Sequence, residues 1–278
     1  MTLPDTWQTK TLKQLASINY GKSPAQILDD YGQYPVLGTG GEGRQGNNFL
    51  YEGDSIILGR KGTIDRVFFA SGKFWTIDTA YYLSNFVEAL PRWLFYFLQT
   101  QVLRQLNEAT GVPSLARETL YKIQIPTPPA IEQAKIAEIL STVDRAIEQT
   151  EALIAKQERI KTGLMQDLLT RGIDEHGDLR SESTHPFKDS PLGRIPVEWD
   201  VWRINEIAKV SYGISDAIDT DNKTGIATVM LTCISASGEL NLNPSLLAYT
   251  SSKIISGRDI LEPGDLLFNW RNGSQSHL

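Results

Sequence analysis

Between residues 136 and 164, residues suited to a helix–helix seam recur in alternating steps of three and four: Ile136, Ile139, Val143, Ala146, Thr150, Leu153, Gln157, Ile160 and Leu164. A seven-residue seam of this kind marks a long helix that packs against another helix. Ile147, Ile154 and Leu168 widen it, and its only interior glycine is Gly163. Gly172 is suited to end the helix. The spacing therefore predicts a helix over 130–172, about 60 Å long at about 1.5 Å per residue. Thr150 and Gln157 are polar seam positions, which lower stability and can fix register against a partner helix. An amphipathic helix lying on a globular core is the competing reading, and such helices are rarely this long.

Three prolines, Pro126, Pro128 and Pro129, stand directly before this segment. Proline fixes φ and holds the preceding residue out of the α region. The lead-in is thus stiff and extended, and it aims the helix.

Before the prolines, residues 1–129 alternate short apolar runs with glycine-rich turns, as in "DSIILGRKGT", "DRVFFASGKF" and "TAYYLSNF". Such runs read as strands. "LPRWLFYFLQTQVLRQLNEA" is longer and reads as one buried helix, with Pro91 in its first turn. This block is α+β. Residues 173–194 are polar and turn-rich and read as a linker or exposed loop.

The segment 195–278 repeats the first. "LPDTWQTKTLKQLASINYG" from Leu3 and "IPVEWDVWRINEIAKVSYG" from Ile195 align at a constant shift of 192, pairing Trp7 with Trp199, Leu12 with Ile204 and Tyr20 with Tyr212. "EGDSIILGRKGT" from Glu52 resembles "PGDLLFNWRNGS" from Pro263 at a shift of 211. The period is too long for a solenoid. Two copies of a whole domain, with a rod between them, are expected. The first copy continues for about 65 residues past Thr63, whereas the second stops four residues after Ser274, so the second domain is expected to be incomplete.

Charge restrains any functional reading. The net charge is −6, with 12 basic and 11 acidic groups in residues 1–130 but 6 and 10 in residues 131–178. A strongly basic nucleic-acid-binding domain is excluded, and any basic surface must be a local patch. The single cysteine, Cys233, excludes an intramolecular disulfide and a multi-cysteine zinc site. No apolar run is long enough to span a membrane, and "MTLPDTWQTK" has no apolar core for secretion. A cytoplasmic protein is expected.

Enzymatic signatures are missing. "YGKS" has Ala16 where a phosphate-binding P-loop needs glycine, and no amphipathic helix follows "GTGGEG". His176, His185 and His277 lack metal-ligand spacing. Asp54 and Asp265 sit in repeated "GD" pairs, read as strand-initiating turns in preference to catalytic carboxylates. A binder is expected.

The repeated loops carry the candidate binding groups. Arg60 and Arg271 each follow an apolar strand and precede a Gly-Thr or Gly-Ser turn. A guanidinium so placed can reach guanine with two parallel hydrogen bonds. Lys61, Thr63, Asn272 and Ser274 lie beside them, and Arg66 and Lys73 add cations suited to phosphates. Arg44, Gln45, Asn47 and Asn48 follow the glycines of "GTGGEG" with groups suited to base edges. Each alone also reads as a solvated loop residue.

At "IPTPPAIEQAKIAEIL", "KTGLMQDLLTRG" and "PLGRIPVEWDV" the chain resembles the specificity subunit of type I restriction-modification systems. "YPVLGTGGEGRQG" and "ILGRKGTIDRV" resemble one class of its target-recognition domains, and "PGDLLFNWRNGS" another. The resemblance implies an α/β target-recognition domain (1–129), a long coiled-coil-type spacer helix (130–172), a linker (173–194) and a partial second recognition domain (195–278). It implies a non-catalytic subunit whose domains each read half of a split site in double-stranded DNA. Methyltransferase subunits, carrying S-adenosylmethionine, would dock on the helices, and restriction (translocase-nuclease) subunits would join them. With no second helix in the chain, residues 131–170 are expected to self-associate. The rival is a protein-interaction adaptor on a coiled-coil arm.

Overall fold

The computed structural model describes residues 4–214, 224–235, 238–250 and 260–268. It divides into two compact units, residues 1–163 and 164–278.

The first unit is built on ten strands: β1 (Gln8–Thr11), β2 (Ser17–Tyr20), β3 (Tyr34–Gly38), β4 (Gly41–Gly46), β5 (Tyr51–Glu52), β6 (Ser55–Gly59), β7 (Val67–Ala70), β8 (Lys73–Thr76), β9 (Ala80–Ser84) and β10 (Gln124–Thr127). Three short helices, α1 (Leu12–Leu15), α2 (Pro91–Gln99) and α3 (Arg117–Tyr121), precede the long α4 (Ala130–Arg171). One sheet runs β2-β9-β6-β7 and the other β4-β3-β8-β5, with β1 and β10 paired separately.

The central strand β6 explains the layering. Its sequence, Ser-Ile-Ile-Leu-Gly, is buried at every position. Alternate side chains of a strand point to opposite faces, so a continuous apolar run needs both faces covered. Ile56 and Leu58 join the core with Leu12, Leu15, Trp93, Leu94 and Leu98. Ile57 joins Leu37, Phe74 and Ala80 in a second cluster. Helices therefore cover one face and the second sheet covers the other. "DRVFFASGKF" splits between the two sheets: β7 pairs with β6, and β8 pairs with β3 and β5.

The chain bends before β6. Gly53 has φ +134°, and Asp54 accepts a 2.6 Å hydrogen bond from the Ser71 hydroxyl. The helix expected over residues 90–109 is instead interrupted. Pro91 begins α2, but α2 ends at Gln99 and only a 3-10 turn, Leu103–Leu106, follows. The Thr100 hydroxyl donates to the Phe97 carbonyl at 2.7 Å, satisfying an acceptor that a continuing helix would have used.

Helix α4 begins at the end of the proline lead-in and stops at Gly172, whose φ is +66°. Its first turns are fastened to the domain. The Trp7 indole donates to Glu132 at 3.1 Å, Gln133 and Ala137 are buried, and Ile136 is half-buried against the main core. Beyond that the seam is bare, from 44% exposed at Ile160 to 55% at Leu153. The Thr150 hydroxyl donates to its own Ala146 carbonyl at 2.7 Å, an internal use of the group, whereas the Gln157 side chain makes no hydrogen bond among the described residues.

In the second unit the segment expected to be a linker carries structure. Asp174 accepts hydrogen bonds from the His176 and Asp178 backbones, 2.9 Å each. A hairpin joins β11 (Phe187–Ser190) to β12 (Gly193–Pro196). Its turn residue Gly193 has φ +100°, and the Ser190 hydroxyl donates to the Gly193 carbonyl at 2.6 Å. Polar composition concealed this hairpin because its stability is local turn chemistry. After α5 (Ile204–Ile207), β13 (Ile226–Thr228) pairs with β14 (Ala248–Thr250).

The repeat is visible in local geometry. Trp7 N–H donates to Pro4 at 2.9 Å and Trp199 N–H to Pro196 at 3.0 Å. Helices α1 and α5 occupy matching positions, and in each the third residue's side chain caps the turn, Gln14 onto Thr11 N–H and Glu206 onto Arg203 N–H. The second motif matches less closely. The Pro263–Asp265 turn has Gly264 at φ +103°, but Leu266–Phe268 form no strand and are exposed. Strand β6 has β7 and β9 as ladder partners, and among the described residues 266–268 have none.

Candidate nucleic-acid interface

Two regions of the first unit gather the candidate side chains. The first is the β3–β4 hairpin. Its register runs from Tyr34 opposite Gly46 to Gly38 opposite Gly41, with a bulge between Val36 and Leu37. Gly41, at φ +104°, makes the turn that "GTGGEG" signals. Those glycines therefore form a structured strand turn, and no helix follows them. A side chain at Gly46 would strike Ile27 at 2.5 Å, whereas one at Gly40 or Gly43 would meet open space. The base of the hairpin is pressed onto the domain, and at the turn Gly38 and Gly41 lie against Ile77 and Phe68 while Gly40 and Gly43 face open space. Arg44 and Gln45 lie on β4, with Arg44 exposed and Gln45 donating to Glu42 at 3.1 Å. Asn47 and Asn48 follow the strand and are exposed. An open cavity of about 480 Å³ lies under the tip, lined by Leu28, Val36, Glu42, Arg44 and Ile77 among others.

The second region lies at one end of the β2-β9-β6-β7 sheet. Tyr20 ends β2, Tyr81 is near the start of β9, and Arg60 directly follows β6. The register pairs Tyr20 with Tyr81 and Gly59 with Ala80, which brings all three together. Tyr20 and Tyr81 meet edge-on at 5.2 Å. The guanidinium carbons of Arg60 and Arg117 lie 5.5 and 5.2 Å from the centre of the Tyr20 ring. A cation near an aromatic face is held by the ring quadrupole.

This arrangement is braced by backbone hydrogen bonds. Leu115 N–H donates to the Arg60 carbonyl and Gly62 N–H to Pro113, both at 2.9 Å. Lys61 and Ser114 form an isolated antiparallel bridge. The Asn107 carboxamide oxygen accepts from Ser114 N–H at 2.8 Å. Together these border an open cavity of about 350 Å³ lined by Tyr20, Arg60, Lys61, Tyr81, Leu115, Arg117 and Glu118 among others. The Tyr81 hydroxyl donates to the Leu115 carbonyl at 3.1 Å. Burial, reinforced by Tyr20 beside it, pushes Tyr81 up to about 12, and the Arg60 and Arg117 charges only partly offset this.

The remaining candidates scatter. Thr63 and Arg66 are exposed in the loop after β6. Lys73 stands 4.8 Å above the Phe49 ring and 3.8 Å from Glu52. Arg44, Arg60, Lys61 and Arg66 make no ion pair among the described residues. Arg271, Asn272 and Ser274 lie outside the described residues. Sequence reasoning missed Tyr20 and Arg117. Tyr20 carried a signal, since it recurs as Tyr212 in the repeat. Arg117 carried none, because only tertiary folding brings it to Arg60. No group of three His, Cys, Asp or Glu residues able to hold a metal occurs among the described residues. No described helix is long and apolar enough to cross a membrane.

Comparison with known proteins places this geometry in context. Residues 4–159 match the family model for the type I restriction modification DNA specificity domain. The chain is 27% identical over 239 residues to the type I restriction enzyme MjaVIII specificity subunit of Methanocaldococcus jannaschii, covering 77% of this chain and 52% of that protein. It is 24% identical over 246 residues to the EcoDI specificity subunit of Escherichia coli, covering 81% and 54%. The chain thus spans about half the length of these curated relatives. A crystal structure of a type I restriction-modification S subunit from M. genitalium superposes with a TM-score of 0.52 at 21% identity, over 63% of this chain and 49% of that one. That likeness concerns the fold.

Proposed function

The chain belongs to the type I restriction modification DNA specificity family, and from that premise we propose that it is a sequence-specific DNA-recognition subunit without catalytic activity of its own. The carrying observation is the family match over residues 4–159, which takes in both sheets, the hairpin, the arginine pocket and most of α4. The two recognition domains of the proposal, residues 1–129 and 195–278, each read one half of a bipartite site in double-stranded DNA. The 42-residue helix serves as spacer and as docking surface for methyltransferase subunits, its bare seam also accounting for self-association through residues 131–170. Those partners bind S-adenosylmethionine and carry out methylation, and restriction subunits join the larger assembly, in the cytoplasm.

Local chemistry supports this reading. Direct base reading needs Arg, Asn or Gln on a projecting element, and the β3–β4 hairpin offers Arg44 and Gln45. The adaptor alternative draws support from none of the matches. Co-expression with a cognate methyltransferase subunit, followed by genome-wide mapping of methylated bases, tests the proposal. Methylation confined to a bipartite motif is expected. Methylation without a motif, or none, would overturn it.

A further inference from the structure

Resting on that reading, we propose that the pocket formed by Tyr20, Arg60, Lys61 and Arg117 is a seat for a DNA backbone phosphate, so that Arg60 positions the duplex and does not read a base. The sequence alone suggests Arg60 as a guanine reader. Its surroundings argue otherwise.

The first argument is shape. Base edges are recessed in a groove and are read by elements that project into it. Phosphates stand out along the ridges. Arg60 follows β6 and borders an open concavity of about 350 Å³ against which a ridge can rest, whereas Arg44, although it too borders a cavity, is carried on an edge strand of its sheet.

Charge gives the second argument. Arg60, Lys61 and Arg117 face one carboxylate, Glu118, around the cavity. Two guanidiniums share the Tyr20 ring at 5.5 and 5.2 Å. Both also line the one cavity, so an anion placed there is attracted by both charges. The chain as a whole carries net charge −6, so this local excess of cations runs against its general character.

The third argument is an unmet hydrogen-bond donor. The Arg117 Nε is shut off from solvent and has no acceptor. Its nearest carboxylate oxygen, on Glu118, is 3.6 Å away, beyond hydrogen-bond reach. Buried polar groups are ordinarily paired, and the Glu118 ion pair at 3.6 Å serves this nitrogen only in part. The 60–62 loop is already fastened to residues 113–115 by two 2.9 Å backbone hydrogen bonds. The pocket is therefore assembled before DNA arrives.

The test uses the full chain co-purified with its methyltransferase subunit and a random-sequence duplex library, bound fractions being sequenced at several salt concentrations. The wild type decides the specificity reading: it must enrich a motif, and failure to do so overturns that reading and the pocket with it. Arg60→Gln and Arg117→Gln decide the pocket. Each is expected to weaken binding several-fold on all sequences alike. Each should also lower the slope of log affinity against log salt by about 1, with the enriched motif unchanged. Arg117→Lys, which keeps the charge, is expected to recover most of the slope. Loss of preference at one base pair would show that the pocket reads a base. An unchanged slope with both glutamine variants would show that it does not touch DNA. Matching thermal unfolding of the variants and wild type separates either result from misfolding.

Discussion

Gln133, in the first turns of α4, accepts a 2.8 Å hydrogen bond from the backbone N–H of Leu90, the residue that introduces α2. Its amide nitrogen donates to the Glu88 and Pro128 carbonyls, 2.9 Å each. One buried side chain thus ties the proline lead-in, the long helix and the loop before α2 together. The prolines limit the directions available to α4, and Gln133 selects one.

Replacing Gln133 with Leu removes all three bonds, leaving the Pro128 carbonyl buried without that partner and the Glu88 carbonyl and Leu90 N–H, on exposed residues, part-buried without theirs. Unpaired buried polar groups cost about 1–3 kcal/mol each, and neighbouring losses do not add fully. A loss of about 2 kcal/mol, mostly from the buried Pro128 carbonyl, is expected, read by urea unfolding of the full chain. Gln133→Glu keeps the acceptor for Leu90 but sets a carboxylate against two carbonyls. It should be at least as damaging at neutral pH and should recover on acidification, when the protonated group can donate again. Equal stability for wild type and Gln133→Leu would remove the latch.

A second tie lies further along the helix. The Tyr96 hydroxyl of α2 donates to Asp144 at 2.6 Å and lies 3.1 Å from the Ser141 hydroxyl. Desolvation first, and then this bond to Asp144, raise the Tyr96 pKa above its ordinary value. Hydrogen bonds to charged groups contribute about 1.5–3 kcal/mol. Tyr96→Phe and Asp144→Asn should each destabilise by about 1–2 kcal/mol. Their double mutant should lose clearly less than the sum. Additive losses in that cycle would show that the two residues act independently.

Tyr81 provides a pH test of the arginine pocket. Its pKa is raised to about 12 by burial beside Tyr20, while an unfolded tyrosine titrates near 10. The unfolded chain therefore loses this proton first as pH rises. The stabilisation is complete below about pH 10 and declines between about pH 10 and about 12. Denaturant unfolding followed from about pH 9 to about pH 11 should show a falling stability. Tyr81→Phe, starting lower because its bond to Leu115 is gone, should fall less steeply. Parallel slopes would mean that Tyr81 does not govern the alkaline loss.

How much of this was legible beforehand depends on the range of the interactions involved. The limits of α4 were readable because seam, proline and glycine act within a few residues. The repeat was readable down to the paired turns at Trp7 and Trp199. Burial was not. Leu12 is fully buried whereas its counterpart Ile204 is 68% exposed, since Leu12 is covered by residues more than a hundred positions away, Leu120 and Ile125 among them. The same limit hid the pocket. Arg60 stood out in its motif, but its neighbour Arg117 arrives only through the Gly62–Pro113 and Leu115–Arg60 hydrogen bonds. The hairpin β11–β12 escaped notice because polar residues can form strands when a tight turn closes them.

The bare seam of α4 carries an expectation about assembly. Leu153 and Ile160 are 55% and 44% exposed, and packing against a second helix would bury both. Exchanging both for Lys should leave unfolding of the full chain unchanged within about 0.5 kcal/mol, as for exposed positions. In sedimentation at tens of micromolar, the wild type should be associated and the double variant at least tenfold weaker, equivalent to about 1.4 kcal/mol. A monomeric wild type would count against self-association through this helix.

Arg44 is the residue from which base discrimination is expected. It is exposed on β4 opposite Val36, on an edge strand of its sheet where the neighbouring Gly43 faces open space. A guanidinium on a projecting ribbon can enter a major groove and bond to guanine with two parallel hydrogen bonds. Arg44→Ala should relax the enriched motif at one base pair, at about 1–3 kcal/mol of discrimination, and change the salt slope little. That pattern is the opposite of the one expected for Arg60 and Arg117. The two sets of variants, measured in the same library selection, therefore separate reading from positioning within one domain. If Arg44→Ala lowers affinity uniformly while an arginine of the pocket alters the motif, the roles assigned to hairpin and pocket are exchanged.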